Sequence, residues 1–201
     1  MPTPMHTPNN DTDAATRRDD LPLVAGDRVH LRAHHDGDLD DLYAVHADPR
    51  VMRYWSFPAW TERAQSQARL ADAMAGRDAD RKLCWAIAGR DDDRLIGGVT
   101  LFAIDRAQGR AEVGYSLRAD HWGRGLASEA LQLALDHAFD TLGLRRIEAD
   151  IDPRNTASCL LAERLGFVRE GLLRERWRVA DELQDSAIYG LLARDWRACQ
   201  T

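Results

Sequence analysis

Two glycines in the run Trp122-Gly123-Arg124-Gly125 separate a stretch of strand formers, Ala111–Leu117, from a long helical run, Ala127–Leu142. A turn built on glycine lets backbone approach a ligand closely, because no Cβ stands in the way. The helix that follows begins with unpaired N–H groups and the positive end of its dipole. Leu126, Ala127 and Ser128 supply those first N–H groups. Such a turn is an anion site, and a pyrophosphate is its natural guest. Arg124 either approaches that anion or is an exposed turn arginine.

Two common phosphate loops do not fit. A Walker loop needs a lysine followed by Ser or Thr, and here Leu126-Ala127 follows the second glycine. A dinucleotide fingerprint needs a third Gly or Ala where Ser128 stands, and an early strand before it. The turn does resemble the acetyl-CoA loop of the GNAT superfamily of N-acetyltransferases, Arg/Gln-x-x-Gly-x-Gly/Ala. Gly125 and Ala127 match, while Trp122 stands where Arg or Gln is usual. Downstream, Arg146-Ile147-Glu148-Ala149-Asp150-Ile151 reads as a strand. Asn155-Thr156-Ala157-Ser158 then opens a helix that ends at Glu163-Arg164-Leu165-Gly166-Phe167. That order is similar to the GNAT segment Asn-x-x-Ser/Ala…Glu-Lys-x-Gly-Phe. Glu170–Arg174 and Asp185–Leu192 resemble the closing strands of the branch with the Rim-type ribosomal-protein N-terminal acetyltransferases. The resemblance spans roughly Asp27 to Trp196.

The resemblance implies acetyl-CoA as cofactor and an amine as acceptor, a protein or peptide N-terminus or a small molecule. Direct attack in a ternary complex requires a base for the amine, a stabilised oxyanion and a leaving thiolate. Glu112 is the first candidate base, since it sits on the strand before the glycine loop and shares a face with Gly114 and Ser116. It could equally be a strand glutamate paired to Arg110. Glu175 is the second, unless it is a solvated charge among Arg174, Arg176 and Arg178. Where many GNAT enzymes carry a proton-donating tyrosine, this chain has Ala162. In the Rim-type branch the substitute is the serine of Asn-x-x-Ser, here Ser158, to bond or protonate the CoA sulfur. The alternative is a first-turn serine that bonds its own backbone. Asn155 caps that helix, touches the cofactor, or does both. The backbone around Tyr115, Ser116 and Leu117 should pair with pantetheine amides where the strand splays from its neighbour, and Trp122 should pack under the loop. Tyr54, Trp55, Trp60 and the Gly171–Asp181 segment with Trp177 should wall the acceptor pocket; Trp60 could equally fill the core.

Composition bounds these readings. The chain has 201 residues, enough for one domain with a real core. A net charge of −6 disfavours a general nucleic-acid binder. Cys84, Cys159 and Cys199 lack paired ligand spacing, which points to a reducing, cytoplasmic setting and no metal. No segment is long and apolar enough to span a membrane. Residues 1–21 read as a flexible polar tail and 22–201 as one acetyltransferase-like domain. An exposed final strand could pair across a homodimer. Other readings remain: a catalytically silent CoA-binding sensor, or transfer from a longer acyl-CoA.

The elements that must position these groups follow from periodicity. Arg28–Ala33 alternates as a first strand, and Asp36–His46 is an amphipathic helix with Asp36 as its cap. Val51–Trp55 connects to a second helix ending at Gly76. Lys82–Ala88 and Leu95–Ile104 are strands joined by a turn at Gly89–Asp93. The fold class expected is α+β: an α/β/α sandwich whose mixed, largely antiparallel sheet splays at the acetyl-CoA site, with helices on both faces.

Overall fold

The computed structural model describes residues 21–75 and 81–198. The expected tail over residues 1–20, the helix end at Gly76 and Cys199 lie outside the described residues.

The first half of the chain forms β1 (Val24–Ala25), β2 (Val29–Arg32), α1 (Leu39–Ala47), α2 (Pro49–Met52) and α3 (Arg63–Ala75). Three antiparallel strands follow, β3 (Leu83–Gly89), β4 (Leu95–Asp105) and β5 (Arg110–Leu117). After the glycine turn come α4 (Leu126–Asp136), β6 (Arg146–Ile151), α5 (Thr156–Arg164), β7 (Val168–Val179), β8 (Glu182–Leu192) and α6 (Ala193–Ala198). Among the described residues the strands form one eight-stranded sheet in the order β1-β2-β3-β4-β5-β6-β8-β7. Every pairing is antiparallel except β5 with β6. A parallel pair needs a crossover, and α4 supplies it.

Strand alternation separates two cores. Trp85 and Ile87 of β3 face the larger cluster with Leu131, Leu135 and Phe139, whereas Ala86 faces a smaller one with Leu42, Val45, Met52 and Leu70. Helices therefore cover both faces, as expected. Burying a Leu- or Phe-sized side chain contributes roughly 1.5–3 kcal/mol, so these clusters dominate the stability. A buried ion pair adds specificity near the first helix, where Arg32 grips Asp38 through two hydrogen bonds of 2.8 Å.

Several boundaries differ from the sequence reading. Asp36 does not cap α1: a 3-10 turn, Asp36–Asp38, precedes it, and Asp38 accepts from the His35 N–H at 3.0 Å. The helical run expected to Leu142 is α-helical only to Asp136 and continues as a π turn over His137–Thr141. Pro49–Met52 is a short helix rather than connector, begun by Asp48, whose side chain accepts from the Arg50 N–H. The closing hairpin, β7 and β8, is longer than the expected Glu170–Arg174 and Asp185–Leu192.

Candidate functional site

The parallel ladder between β5 and β6 is short. It pairs Arg110 with Arg146, Ala111 with Ile147 and Glu112 with Glu148, and then stops. Beyond Glu112, β5 stays bonded to β4 through Leu117↔Gly97, while β6 stays bonded to β8 through Ile151↔Ala187. The sheet opens between the two strands. A cleft of about 390 Å³ occupies the opening, lined by Glu112 through Tyr115, by Ala149 through Asp152, and by Asn155 and Ser158 at the start of α5. Tyr54, Trp55, Arg176, Trp177, Gln184, Asp185 and Ser186 also line it, with Ser56 and Phe102.

Carboxylates gather at the mouth. Glu112 and Glu148 are register partners and Asp150 lies two residues further along β6, so period two places all three on one face. Glu148 is held by Arg146 at 2.7 Å and by Arg110 at 3.4 Å. Asp150 accepts from Arg176 at 3.0 Å and from the Trp177 indole at 3.2 Å. Glu112 has no hydrogen-bond or ion-pair partner among the described residues. Arg110, its alternative partner from the sequence, is given to Glu148. Burial pushes the Glu112 carboxyl above its ordinary range, and the charges of Glu148 and Asp150 push it further. A carboxyl so placed holds a proton more readily than a solvated one and can accept it from a neighbouring group.

The β7 bulge brings Arg176 and Trp177 to this cleft. Leu173 pairs with Ser186 and Trp177 with Gln184, so three residues of β7 oppose Asp185 alone. Glu175 sits at the bulge with φ 52°, and its N–H is held by the Asp185 carboxylate at 2.8 Å. The bulge turns Glu175 outward: it is exposed and does not line the cleft. Its neighbours occupy the wall it was expected to occupy.

On the opposite side, Asn155 caps α5 by accepting the Ser158 N–H at 3.2 Å. The Ser158 hydroxyl makes no bond to its own helix among the described residues and faces the cleft. Tyr115 points into the same space, with burial pushing its phenol up to about 12. Ala162 is a buried core residue. The Tyr54 ring has the guanidinium groups of Arg53 and Arg154 at 5.2 and 5.9 Å from its centroid. Trp55 packs edge-on against Phe57 at 5.3 Å while lining the cleft. Trp60 stacks on buried His46 at 4.3 Å and belongs to the smaller core.

The glycine turn lies beyond the end of β5. Gly123 and Gly125 have φ of 72° and 76°, a left-handed conformation that favours glycine, and Gly125 is the N-cap of α4. Arg28 reaches across from the start of β2 and donates to the Arg124 carbonyl at 2.7 Å. Its Nε donates to Glu129, which also accepts the Arg28 and Val29 N–H groups. With carbonyls drawn back to Arg28, the first amides of α4 (Leu126, Ala127, Ser128) remain as the donors of an anion cradle. Trp122 does not pack under the turn. It is 49% exposed, and its indole donates to the Leu117 carbonyl at 2.8 Å, capping the end of β5. Ser116 and Leu117 are buried and pair with β4; they do not line the cleft.

Asp150, Asp152, Gln184, Asp185 and Ser186 are cleft residues that sequence reasoning missed, whereas Arg176 falls within the Gly171–Asp181 segment expected to wall the pocket. A signal existed for some of them. Glu148 and Asp150 alternate on β6, and Gln184 and Ser186 alternate as buried polar residues on β8. No group of three or more His, Cys, Asp or Glu among the described residues is placed to hold a metal ion. No helix among them is long and apolar enough to cross a membrane.

The sequence pattern of the acetyltransferase (GNAT) domain matches residues 28–168. The uncharacterized N-acetyltransferase p20 of Bacillus licheniformis is 36% identical over 173 residues, covering 85% of this chain and 96% of its own. A spermidine N(1)-acetyltransferase of Vibrio cholerae is 30% identical over 158 residues, covering 79% of this chain and 89% of its own. The crystal structure of spermidine N-acetyltransferase from Vibrio cholerae, solved with CoA and spermine, superposes with a TM-score of 0.74 at 25% identity. That alignment covers 85% of this chain and 98% of the other.

Proposed function

The chain belongs to the GNAT family of N-acetyltransferases, and from that premise we propose that Glu112 is the base for acetyl transfer from acetyl-CoA to a cationic primary amine. The observation that carries the reading is the unpartnered, half-buried Glu112 at the point where β5 and β6 part. Acetyl-CoA supplies the acetyl group as a thioester. The Gly123–Ser128 turn fits its pyrophosphate, because it offers helix N–H groups and no side chain at either glycine. The unpaired edge of β5 facing β6 fits an amide-bearing arm, and the unpartnered Tyr115 hydroxyl supports a polar occupant for the cleft. Asn155 shapes the start of α5 so that Ser158 faces that arm.

Glu112 takes the proton from the attacking amine. The acceptor arrives as an ammonium ion, and the carboxylates of Glu112, Asp150 and Asp185 in the wall favour that charge. Tyr54, Trp55 and Trp177 give it apolar and ring-face contacts. The Vibrio cholerae relative named as a spermidine N(1)-acetyltransferase agrees with a cationic acceptor, and a peptide N-terminus has the same chemistry.

The test is release of free thiol from acetyl-CoA with a panel of diamines, polyamines and short peptides. Turnover on cationic amines that is lost in Glu112→Gln, with CoA binding kept, supports the reading. Full turnover in Glu112→Gln removes Glu112 from the mechanism. Tight CoA binding without turnover on any amine would favour a binding module over an enzyme.

A further inference from the structure

Two buried hydroxyls in the cleft wall, Tyr115 Oη and Ser186 Oγ, have no hydrogen-bond partner. An unsatisfied buried hydroxyl costs about 1–3 kcal/mol, so each marks a wall that something polar completes. Tyr115 is the more telling because of its neighbours. It rises from β5 on the side facing α5, beside Ser158 and Cys159. Ser158 is the group that bears on its proton, although the two oxygens stand short of bonding geometry. The other phenol near Cys159, Tyr189, is already engaged, with its Oη 3.2 Å from Glu163 Oε1.

Ser158 has one proton and two lone pairs to place. The carbonyls near the start of α5 already accept N–H groups: Asn155 O from Cys159, and Asp152 O from Asn155. Tyr115 holds its proton throughout the physiological range, because burial disfavours the phenolate. It is therefore a fixed donor, and the donor-free lone pairs of Ser158 Oγ are the acceptor beside it.

We propose that Tyr115 is a positioning residue for the transfer step: its hydroxyl donates to Ser158 Oγ and so aims the Ser158 proton at the departing sulfur. The proposal rests on the acetyl-transfer reading above. In the step, the amine nitrogen bonds the acetyl carbon and the C–S bond breaks. Glu112 takes one proton from the arriving ammonium ion, the acylated nitrogen gives up a second to water, and the electron pair goes to sulfur. Ser158 O–H then holds the thiolate by a hydrogen bond, and the thiolate later takes its proton from water. Neither hydroxyl is ionised at any point.

The test reads the bound thiol directly. CoA is titrated into the intact protein by calorimetry, and the thiol of the bound CoA is then followed against pH by its thiolate ultraviolet absorbance. A free thiol titrates near about 8.5. Bound to the wild type it should titrate lower. Tyr115→Phe should raise that midpoint toward the free value and lower kcat about tenfold, with KM for acetyl-CoA kept, as loss of one modest hydrogen bond implies. Tyr115→Phe combined with Ser158→Ala should move the midpoint no further than Ser158→Ala alone. The Phe variant removes an unpaired hydroxyl and keeps the ring, so its thermal midpoint should not fall. A wild-type midpoint in Tyr115→Phe overturns the proposal, as does independent addition of the two effects. Wild-type protein that fails to bind CoA overturns the acetyl-transfer reading as well, and calorimetry alone reveals that failure.

Discussion

Arg28→Ala should weaken CoA binding without unfolding the protein. The side chain of Arg28 ties the glycine turn to the sheet: it donates to Arg124 O at 2.7 Å, to Gly125 O at 3.4 Å and to Glu129 at 2.7 Å. A hydrogen bond from a charged group is worth roughly 1.5–3 kcal/mol when buried. The Arg28 side chain is 54% exposed, so solvent screening reduces this toward the ~1 kcal/mol of surface pairs. Two such contacts together give about 1–2 kcal/mol of loop ordering, or about five- to thirtyfold in Kd. The fold should survive, because alanine keeps the Arg28 N–H on Glu129 Oε1, and Val29 N–H donates to the same oxygen. Calorimetric titration with CoA reads the loss, and kcat at saturating acetyl-CoA should hold, since Arg28 does not line the cleft that holds Glu112. Arg28→Lys should recover only part of the affinity, because an ammonium lacks the fork that spans a carbonyl and a carboxylate. CoA affinity equal to wild type in Arg28→Ala would refute the argument and show that the turn holds its shape on glycine geometry alone.

Glu112→Gln should lower kcat by about 10²–10⁴, the usual worth of a general base. Because Glu112 works deprotonated and its carboxyl is raised, kcat should rise with pH along an acid limb lying above the ordinary carboxylate range. Asp150→Asn should move that limb down and Arg176→Ala should move it up, since the first removes a charge that raises Glu112 and the second one that lowers it; a limb unmoved by both would exclude Glu112. Alanine at Gly123 or Gly125 should strain the turn by about 1 kcal/mol through positive φ. CoA titration should show the larger loss at Gly125, where a Cβ also meets Arg28 Nη2 at 3.3 Å while at Gly123 it meets nothing. Asp38→Asn should destabilise by about 3 kcal/mol in a denaturant titration, because Arg32 loses its principal buried partner. Burial pushes the Asp38 carboxyl up, but hydrogen bonds from Arg32, His34 and the His35 backbone outweigh it and hold it well below the usual range. The stability it contributes is therefore present above its unfolded pKa and lost as pH falls through the folded one. The wild type should lose stability on acidification more steeply than Asp38→Asn.

Much of the site was legible because it is carried by local rules. The glycine turn announced itself through two glycines ahead of a helical run, which the structure holds at positive φ, and Asn155 through the cap chemistry of its type. Glu112 was readable from its place one strand before the turn. What the sequence left open at Glu112, base or partner of Arg110, was a matter of who else competes for Arg110. That competitor, Glu148, comes from a strand more than thirty positions on, brought alongside only by the parallel register. Glu175 was misplaced for a related reason. Nothing local marks a bulge at a non-glycine residue in Leu173-Arg174-Glu175-Arg176-Trp177. The Asp185 side chain creates it by taking the Glu175 N–H that a regular ladder would use. Trp122 was expected to pack under the loop; the Leu117 carbonyl at the end of β5 holds its indole instead.

One register event connects these features. An antiparallel sheet that admits a single parallel pair must feed that pair from a crossover, and the two strands arrive held by different neighbours, β4 on one side and β8 on the other. Their twists then need agree only over the first residues, and the ladder ends at Glu112 and Glu148. Past that point each strand keeps its bonds to its own neighbour and offers its other edge to the gap. The gap is partly shielded from water, which is what raises the Glu112 carboxyl and the Tyr115 phenol alike. The same strand therefore presents a proton acceptor on one face, where the three carboxylates meet, and a proton-holding phenol on the other, where α5 begins. Alternation along β5 sets Glu112 and Tyr115 on opposite sides of the strand, both at the opening, so the proposed base and the proposed positioning hydroxyl stand apart on one strand.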